Sequence, residues 1–335
     1  MRKIKVIIKN LVAYFLYYSG ILSLIKNYKL KNKICVLAYH RVIPENMLNQ
    51  VHSASGIITE KSLFQNHLRW LKQEFDIIAM DDMYDFLSNH KSISCGCMLT
   101  FDDGWHDNYF HAKELLEQEN IPATVFLPFD YINSNTVFWQ EELLARLLYL
   151  NDSNNSSDIS FLEQVIGSEA KQDRHTLRGF VTKLKDKEYS EIEAILDSLR
   201  RYQKDSKVTL EHDAYLTWKE VLEMLSSNIS FGSHSMSHRM LTRIASEEVQ
   251  YEITESKVRI EEKIGRPVNA IAYPNGNSNS MVQDVVAESN YRLGFRIDHG
   301  YVSKDSNPMA LPRINIHSGN SRNKPILLCT ILKIF

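Results

Sequence analysis

Short apolar runs that end in polar residues alternate along this chain with stretches whose apolar positions recur every three or four residues. The first run, Val36 to Tyr39, ends at His40. Thr59 then stands where a helix cap is expected, because Phe64, Leu68, Leu71 and Phe75 follow at spacings of 4, 3 and 4, one buried helical stripe. Phe75 to Met80 reads as a strand, Asp81 to Leu87 as a helix, Met98 to Phe101 as a strand, Asn108 to Gln118 as a helix and Ala123 to Leu127 as a strand. Further on, Thr217 and Glu220 form a capping box for a helix through Leu225, just before the apolar run at Ile229. Val249, Ile253, Ile260 and Ile264 make another stripe, Ala270 to Tyr273 another apolar run, and Met281 to Ser289 a last helix. Alternation of this kind predicts an α/β fold with a mainly parallel sheet, in which catalytic groups gather at strand ends.

Between Phe129 and about Asp213 the alternation lapses. Phe138 to Leu144 opens a helix, Asn151 to Asp158 is a polar linker, and Lys/Glu-rich helical sequence runs on to Tyr202. The charge run Lys183 to Glu188 reads as a solvated helix face. A helical insertion at about 130–213 is expected, acting as a lid or substrate platform or serving only packing. With 335 residues and 44% hydrophobic content, one large barrel with an insertion fits better than two independent domains. A net charge of −2 argues against bulk attraction to nucleic acid.

Three strand ends carry candidate chemistry. Leu99-Thr100-Phe101-Asp102-Asp103-Gly104 closes an apolar segment with adjacent carboxylates and a glycine that permits a sharp turn. Alone, Asp-Asp-Gly is also the composition of a surface turn. Downstream, Ile229 to Ser233 delivers His234, and His238 follows four positions later, a spacing at which two imidazoles can share one helical face and one metal ion. An Asp with two His completes an open site, since zinc needs three protein ligands when water keeps the fourth position. Tyr273-Pro274-Asn275-Gly276 is a turn whose backbone N–H groups suit a developing oxyanion, or a plain strand-to-helix turn.

These motifs resemble the polysaccharide deacetylase family, built on the NodB homology domain and of carbohydrate esterase type. Thr100 to Gly104 matches its Thr-Phe-Asp-Asp-Gly, and His234-Ser235-Met236-Ser237-His238 matches its His-Ser/Thr-x-x-His, within Gly232 to Leu241. Similarity extends to Val36–Val42, Ile121–Leu127 and Leu311-Pro312-Arg313, so it spans roughly residues 34 to 317. The resemblance implies a distorted (β/α) barrel of the glycoside hydrolase/deacetylase type. It implies Asp103, His234 and His238 as ligands of a divalent metal, most simply Zn²⁺, with Ni²⁺, Co²⁺ or Mn²⁺ as alternatives. Asp102 becomes the general base and the Asn275 amide an oxyanion donor. The family's third motif usually begins with an arginine, where this chain has Ala272; Arg313 is the candidate replacement. Its late Leu-x-His motif has only Asn315-Ile316-His317 as a counterpart, leaving His317 and His40 as contenders for the general acid. The aspartate-tryptophan motif has no clear counterpart.

The function implied is metal-dependent removal of N-acetyl groups from N-acetylated sugars of a cell-envelope or exopolysaccharide glycan, or of its lipid-linked precursor. Another acylated substrate, or a catalytically decayed glycan-binding protein, are the alternatives. Cys35, Cys95, Cys97 and Cys329 lack zinc-ligand spacing and read as buried free thiols, which modestly favours a reducing compartment, with pairing of the four as the alternative. The apolar run Leu11 to Ile25 is short of the roughly 20 residues a spanning helix needs. It lacks a small-residue cleavage site and carries Arg2, Lys3, Lys5 and Lys9 before it and Lys26, Lys29, Lys31 and Lys33 after it. Residues 1–33 are therefore expected to lie on an anionic membrane surface, at its cytoplasmic face, with an uncleaved export anchor or a helix packed on the barrel as rivals. The barrel is expected over 34–320, with 321–335 as a tail.

Overall fold

In the computed structural model, which describes residues 2–167, 172–185, 187–204, 206, 208, 210 and 214–335, the apolar runs become strands of one parallel sheet. Asp186 and Asp213, within the expected charge run and at the end of the insertion, lie outside the described residues. Helices α1 (Arg2–Tyr18) and α2 (Ile21–Lys29) lead into β1 (Ile34–Tyr39). A separate parallel pair, β2 (Arg41–Ile43) and β3 (Ile58–Glu60), precedes α3 (Lys61–Glu74), β4 (Asp76–Ile77), α4 (Met80–Leu87) and β5 (Gly96–Phe101). A π-helical turn over Asn108–Lys113 continues into α5 (Glu114–Glu119), and β6 (Ala123–Leu127) follows. Then come α6 (Trp139–Asn151), α7 (Ser156–Ile166), α8 (Arg174–Leu184) and α9 (Tyr189–Tyr202). The chain returns through α10 (Trp218–Met224), β7 (Ile229–Ser233), α11 (Ser246–Ile264), β8 (Ala270–Ala272), α12 (Ser280–Glu288), β9 (Leu293–Phe295), β10 (Ile314–Asn315) and α13 (Lys324–Ile331).

The strand order is β10-β1-β5-β6-β7-β8-β9, with β4 also on β5. Leu311 bridges Phe295 of β9 in parallel, and Ile314 and Asn315 pair with Leu37 and Ala38 of β1. The segment 311–315 thus touches both edges and curls the sheet into a distorted (β/α) barrel. Val36, Met98, Phe126, Ala272, Phe295 and Leu311 share one buried cluster in its wall.

Several local readings shift. Thr59 does not cap α3; it pairs with Val42 inside β3, and Glu60 occupies the cap position without a side-chain bond. The strand expected over 75–80 shrinks to Asp76–Ile77, because Asp82 accepts the Ala79 amide and starts α4 at Met80. The apolar run Leu11–Ile25 is two helices rather than one: Gly20, at φ 77°, breaks it, and the halves are bent by 82°. Most of the expected tail is α13, which packs on α1 and α3. The four cysteines are free, but Cys95 is only half-buried.

The chain divides into two compact units, one of residues 1–45, 55–134 and 215–335 and one of 46–54 and 135–214. The second is built of α6–α9 around Leu144, Leu147, Leu177 and Leu196. It also takes in Asn46–Ala54, where Arg174 donates to the carbonyls of Asn49 and Val51. Bonds to main-chain carbonyls carry no side-chain signal, so the sequence did not assign this segment.

One buried histidine lies outside the strand ends. His67 of α3 gives Nε2–H to Ser321 O at 2.8 Å and receives the Tyr39 hydroxyl on Nδ1 at 3.3 Å, which satisfies the neutral ring. Burial holds its pKa down to about 4, against 6.5 ordinarily. Below pH 6.5 the unfolded chain gains a proton that the folded one refuses until about pH 4, so this stability is full above 6.5 and declines as pH falls. The expected loss by pH 4 is about 3 kcal/mol. Urea midpoints at neutral and acidic pH will check it: His67→Gln should show a smaller acid loss, and an equal loss in both proteins refutes the assignment.

Candidate active site

Strand β5 ends beside β1, where the Asp102 amide donates to Tyr39 O at 2.9 Å. Asp103 and Gly104 then both adopt left-handed backbone, φ 73° and 59°. A Cβ at Gly104 would stand 2.8 Å from Ile132 Cδ1, so space as well as φ demands glycine. This double reversal lets two neighbouring carboxylates serve one site.

Asp103 is divided between two tasks. Its Oδ2 accepts Trp105 Nε1 at 2.9 Å. Its Oδ1 lies 3.4 Å from His234 Nε2 and 3.2 Å from His238 Nε2. His234 follows β7, its amide bonded to Leu127 O, and its Nδ1 donates to Ala272 O at 2.7 Å. That bond fixes the proton on Nδ1 and leaves the Nε2 lone pair facing Asp103. The histidines do not share a helical face as the spacing suggested. Ser235 at φ 67° and His238 at φ 57° coil the segment into a turn that brings the ring centroids to 4.9 Å. Glu252 of α11, buried, holds this turn by accepting the Met236 and Ser237 amides at 2.9 Å and the Ser237 hydroxyl.

Arg313 is fully buried and forks onto Asp102, 2.6 Å to Oδ1 and 2.7 Å to Oδ2, with a further bond to Thr100 Oγ1. Its guanidinium lies over Phe126 and Phe295, 5.3 and 5.9 Å from their centroids. Ala272 is buried in the adjacent wall, so the guanidinium reaches Asp102 from the segment before β10 instead of from β8. His40 Nε2 stands 3.9 Å from Asp102 Oδ2, and His40 Nδ1 is buried without a hydrogen bond. Among the described residues His317 makes no bond to Asp102, Asp103, His234 or His238. Its Nδ1 accepts the Gly319 amide at 3.1 Å, and burial first, then the His40 charge, lowers its pKa.

In the fourth loop the Tyr273 hydroxyl is committed to Met309 O at 2.8 Å, and the Gly276 amide closes the turn on Tyr273 O. Gly276, at φ 76°, has Ile297 Cβ 2.4 Å from where its own Cβ would stand. Pro274 has no N–H, and Asn275 is exposed at φ 58°. The Asn275 amide is the donor this turn leaves over.

Burial and neighbouring charges oppose one another at Asp102, Asp103, His234 and His40. Burial raises Asp102, but the Arg313 charge and His234 outweigh it and hold the carboxyl below its usual range. Burial likewise opposes Asp103, which its bonds to His234 and His238 hold well below that range. His234 is pulled down by burial yet ends above its ordinary value because of Asp102 and Asp103. Burial wins at His40, which is lowered. A raised buried histidine reports a net negative potential. One carboxylate oxygen and two imidazole nitrogens within 4.8 Å of one another in that potential fit a divalent cation with nitrogen and oxygen ligands.

The sequence missed four supporting residues. Trp105 anchors Asp103, and Arg41 stacks on Trp105 at 4.1 Å while its Nε donates to Asp107 at 2.8 Å. Asp107 also accepts the Val42 amide, tying β2 to this layer. The Arg41–Asp107 pair had no sequence signal. Glu252 did, because a carboxylate three residues after Val249 falls on the buried stripe of its helix.

The polysaccharide deacetylase family matches residues 96–294. A Bacillus subtilis (strain 168) protein named as a polysaccharide deacetylase, YxkH, is 21% identical over 281 residues, 83% of this chain and 73% of that one. Among solved structures, the Streptococcus pyogenes deacetylase PplD in complex with acetate superposes with TM-score 0.59 at 20% identity, covering 89% of this chain and 98% of that one. IcaB from Ammonifex degensii gives 0.58 at 14% identity, covering 91% and 99%. These likenesses place the fold with the deacetylases' (β/α) barrel. Matched over more than half its length, the chain belongs to the polysaccharide deacetylase family.

Proposed function

We propose that this protein is a metal-dependent N-deacetylase that releases acetate from N-acetylated sugars of a cell-envelope or exopolysaccharide glycan. The observation that carries the reading is the convergence of Asp103 Oδ1, His234 Nε2 and His238 Nε2 beside an Asp102 whose two oxygens are held by Arg313. Those three atoms would hold the cation, which when bound supplies Lewis acidity to a carbonyl oxygen and to water. Asp102, ionised and fixed in orientation, takes the proton of the attacking water. The Asn275 amide donates to the oxygen on which charge develops. His40, whose Nε2 stands 3.9 Å from Asp102 Oδ2, is the nearer of the two contenders for giving a proton to the leaving amine. His317 is less suited to that task, because a proton on its Nδ1 opposes the Gly319 N–H. The Arg313–Asp102 pair also argues against a decayed binder: a buried ion pair is weak support for stability, and a glycan-binding surface has no use for one.

Acetate release from N-acetylglucosamine oligomers, with and without chelator and with a matched O-acetyl ester, tests this reading. Chelator-sensitive release from the amide is expected. Faster turnover of the ester, or release indifferent to chelation, overturns it. Glu252 acts through the turn it holds, as a positioning residue. Glu252→Gln is expected to weaken metal binding about 10- to 100-fold. Competition against a chelating dye will measure this, and unchanged affinity would show that the turn holds itself.

A further inference from the structure

The first 44 residues contain nine Lys or Arg and no Asp or Glu, and residues 306–335 contain four and none, in a chain of net charge −2. The two segments meet where α1 packs on α13. Some of these cations are spent internally, such as Lys26 and Lys324 on Glu74. Lys5, Lys9, Lys31, Lys33 and Lys333 remain exposed.

The same helices carry an apolar face. Ala13 of α1 is fully buried, whereas Ile7, Leu11, Phe15 and Tyr18, at spacings of 4, 4 and 3, are 58, 66, 66 and 77% exposed. Leu24 and Tyr28 continue it on α2 at 70 and 85%. Scattered apolar residues on a surface need no explanation, but an exposed apolar stripe on a segment that carries only one sign of charge does. Among the described residues no single helix is long and apolar enough to cross a membrane; α1 and α2 reach that length and composition only as a pair, and the 82° bend turns α2 away from the line of α1. A face of this composition suits the boundary between headgroups and acyl chains, with aromatic rings at the interface and ammonium groups among anionic headgroups.

The fold also sets which way the site would face. Helix α2 runs into the first residues of β1, and the carbonyls of Leu30 and Lys33 accept the amides of Cys95 and Gly96 at the start of β5. These are the N-terminal ends of the strands. The site lies at the other ends, after Tyr39, Phe101, Ser233 and Ala272, and β1 alone puts about 20 Å between Ile34 and His40.

We propose that the α1–α2 face docks the protein on an anionic lipid bilayer with the C-terminal strand ends, and the site they carry, turned to the aqueous phase. The docking stands on its own; its consequence for substrate rests on the deacetylase reading above. A site facing away from its bilayer meets glycan extending through the aqueous phase, not a sugar held at the headgroups of the same leaflet.

Flotation of the full chain with vesicles of phosphatidylcholine, alone or mixed with phosphatidylglycerol, tests the docking. Binding is expected to the mixed vesicles and to weaken with salt. The double variant Leu11→Glu/Phe15→Glu, at two exposed positions, should bind at least about tenfold less while keeping its circular dichroism and its turnover of soluble oligomers. Hydrogen exchange of the vesicle-bound protein should slow in α1–α2 peptides and stay unchanged over 102–104, 234–238 and 273–276. Absence of binding to the mixed vesicles, or equal binding by the variant, overturns the docking. Protection over the three loops overturns the orientation. A dimer that the variant converts to monomer, with no vesicle binding, assigns the face to a second copy of the chain. None of these readouts depends on acetate release, so a failure of the deacetylase reading is separately visible.

Discussion

Replacing His234 and His238 together by alanine is expected to lower kcat/KM for acetate release by about a thousandfold or more, since Lewis-acid assistance is worth several kcal/mol at the transition state. Both Nε2 atoms lie within 3.4 Å of Asp103 Oδ1, and no other group of three such ligands occurs among the described residues. Without the rings, Asp103 is left as the one ligand of the three, too little to hold a divalent ion. The double variant should therefore purify without stoichiometric metal, and adding metal should not restore turnover. A cost to folding is expected as well, because the variant strands the Ala272 carbonyl and leaves buried Asp103 without its two imidazoles, although the turn keeps its bonds to Glu252 and to the serines at 233 and 235. Metal analysis and circular dichroism on the same preparation separate the two effects. Undiminished acetate release from a correctly folded double variant would sink the metal assignment.

How much of this was legible in the sequence depended on whether a feature was local. Strand β6 appears where Ala123 to Leu127 was read, and α11 buries Val249, Ile253, Ile260 and Ile264 on the stripe their spacing defines. Motif residues at strand ends were legible for the same reason, since parallel strands deliver their C-terminal neighbours to one rim. Backbone handedness was not. Nothing in Ser235 or His238 announces a positive φ, so a four-residue spacing that looks helical became a turn. Gly20 was a visible clue that an apolar run of continuous composition is two helices. Pairings across long separations were legible only where a gap demanded a partner: Ala272 left Asp102 without its usual arginine, which directed attention to Arg313. No comparable gap pointed to Arg41 and Asp107, or to the Asn46–Ala54 segment that joins the helical unit.

The Arg313–Asp102 pair gives the second large effect, and it divides into a stability part and a catalytic part. Arg313→Met removes the guanidinium from a site where both partners are buried, leaving Asp102 as an uncompensated charge. Breaking such a pair costs about 3–5 kcal/mol, so a clear fall in the urea midpoint is expected. Asp102→Asn in the same chain removes the charge that was stranded, and the double variant should recover a substantial part of that loss, a coupling a double-mutant cycle measures directly. Arg313→Lys tests the catalytic part. Lysine keeps the charge but offers one donor centre in place of a fork, so Asp102 loses the two-point hold that aims it and Thr100 Oγ1 keeps only the bond it donates to Leu37 O. Loss of aim should appear in kcat, by about 10- to 100-fold, with KM nearly unchanged, because Arg313 is fully buried behind Asp102 and does not meet substrate. A variant whose KM rises while kcat holds would instead place Arg313 in substrate binding, and an Asp102→Asn background that gains nothing back would show that the arginine stabilises the barrel through Phe126 and Phe295 rather than through the carboxylate.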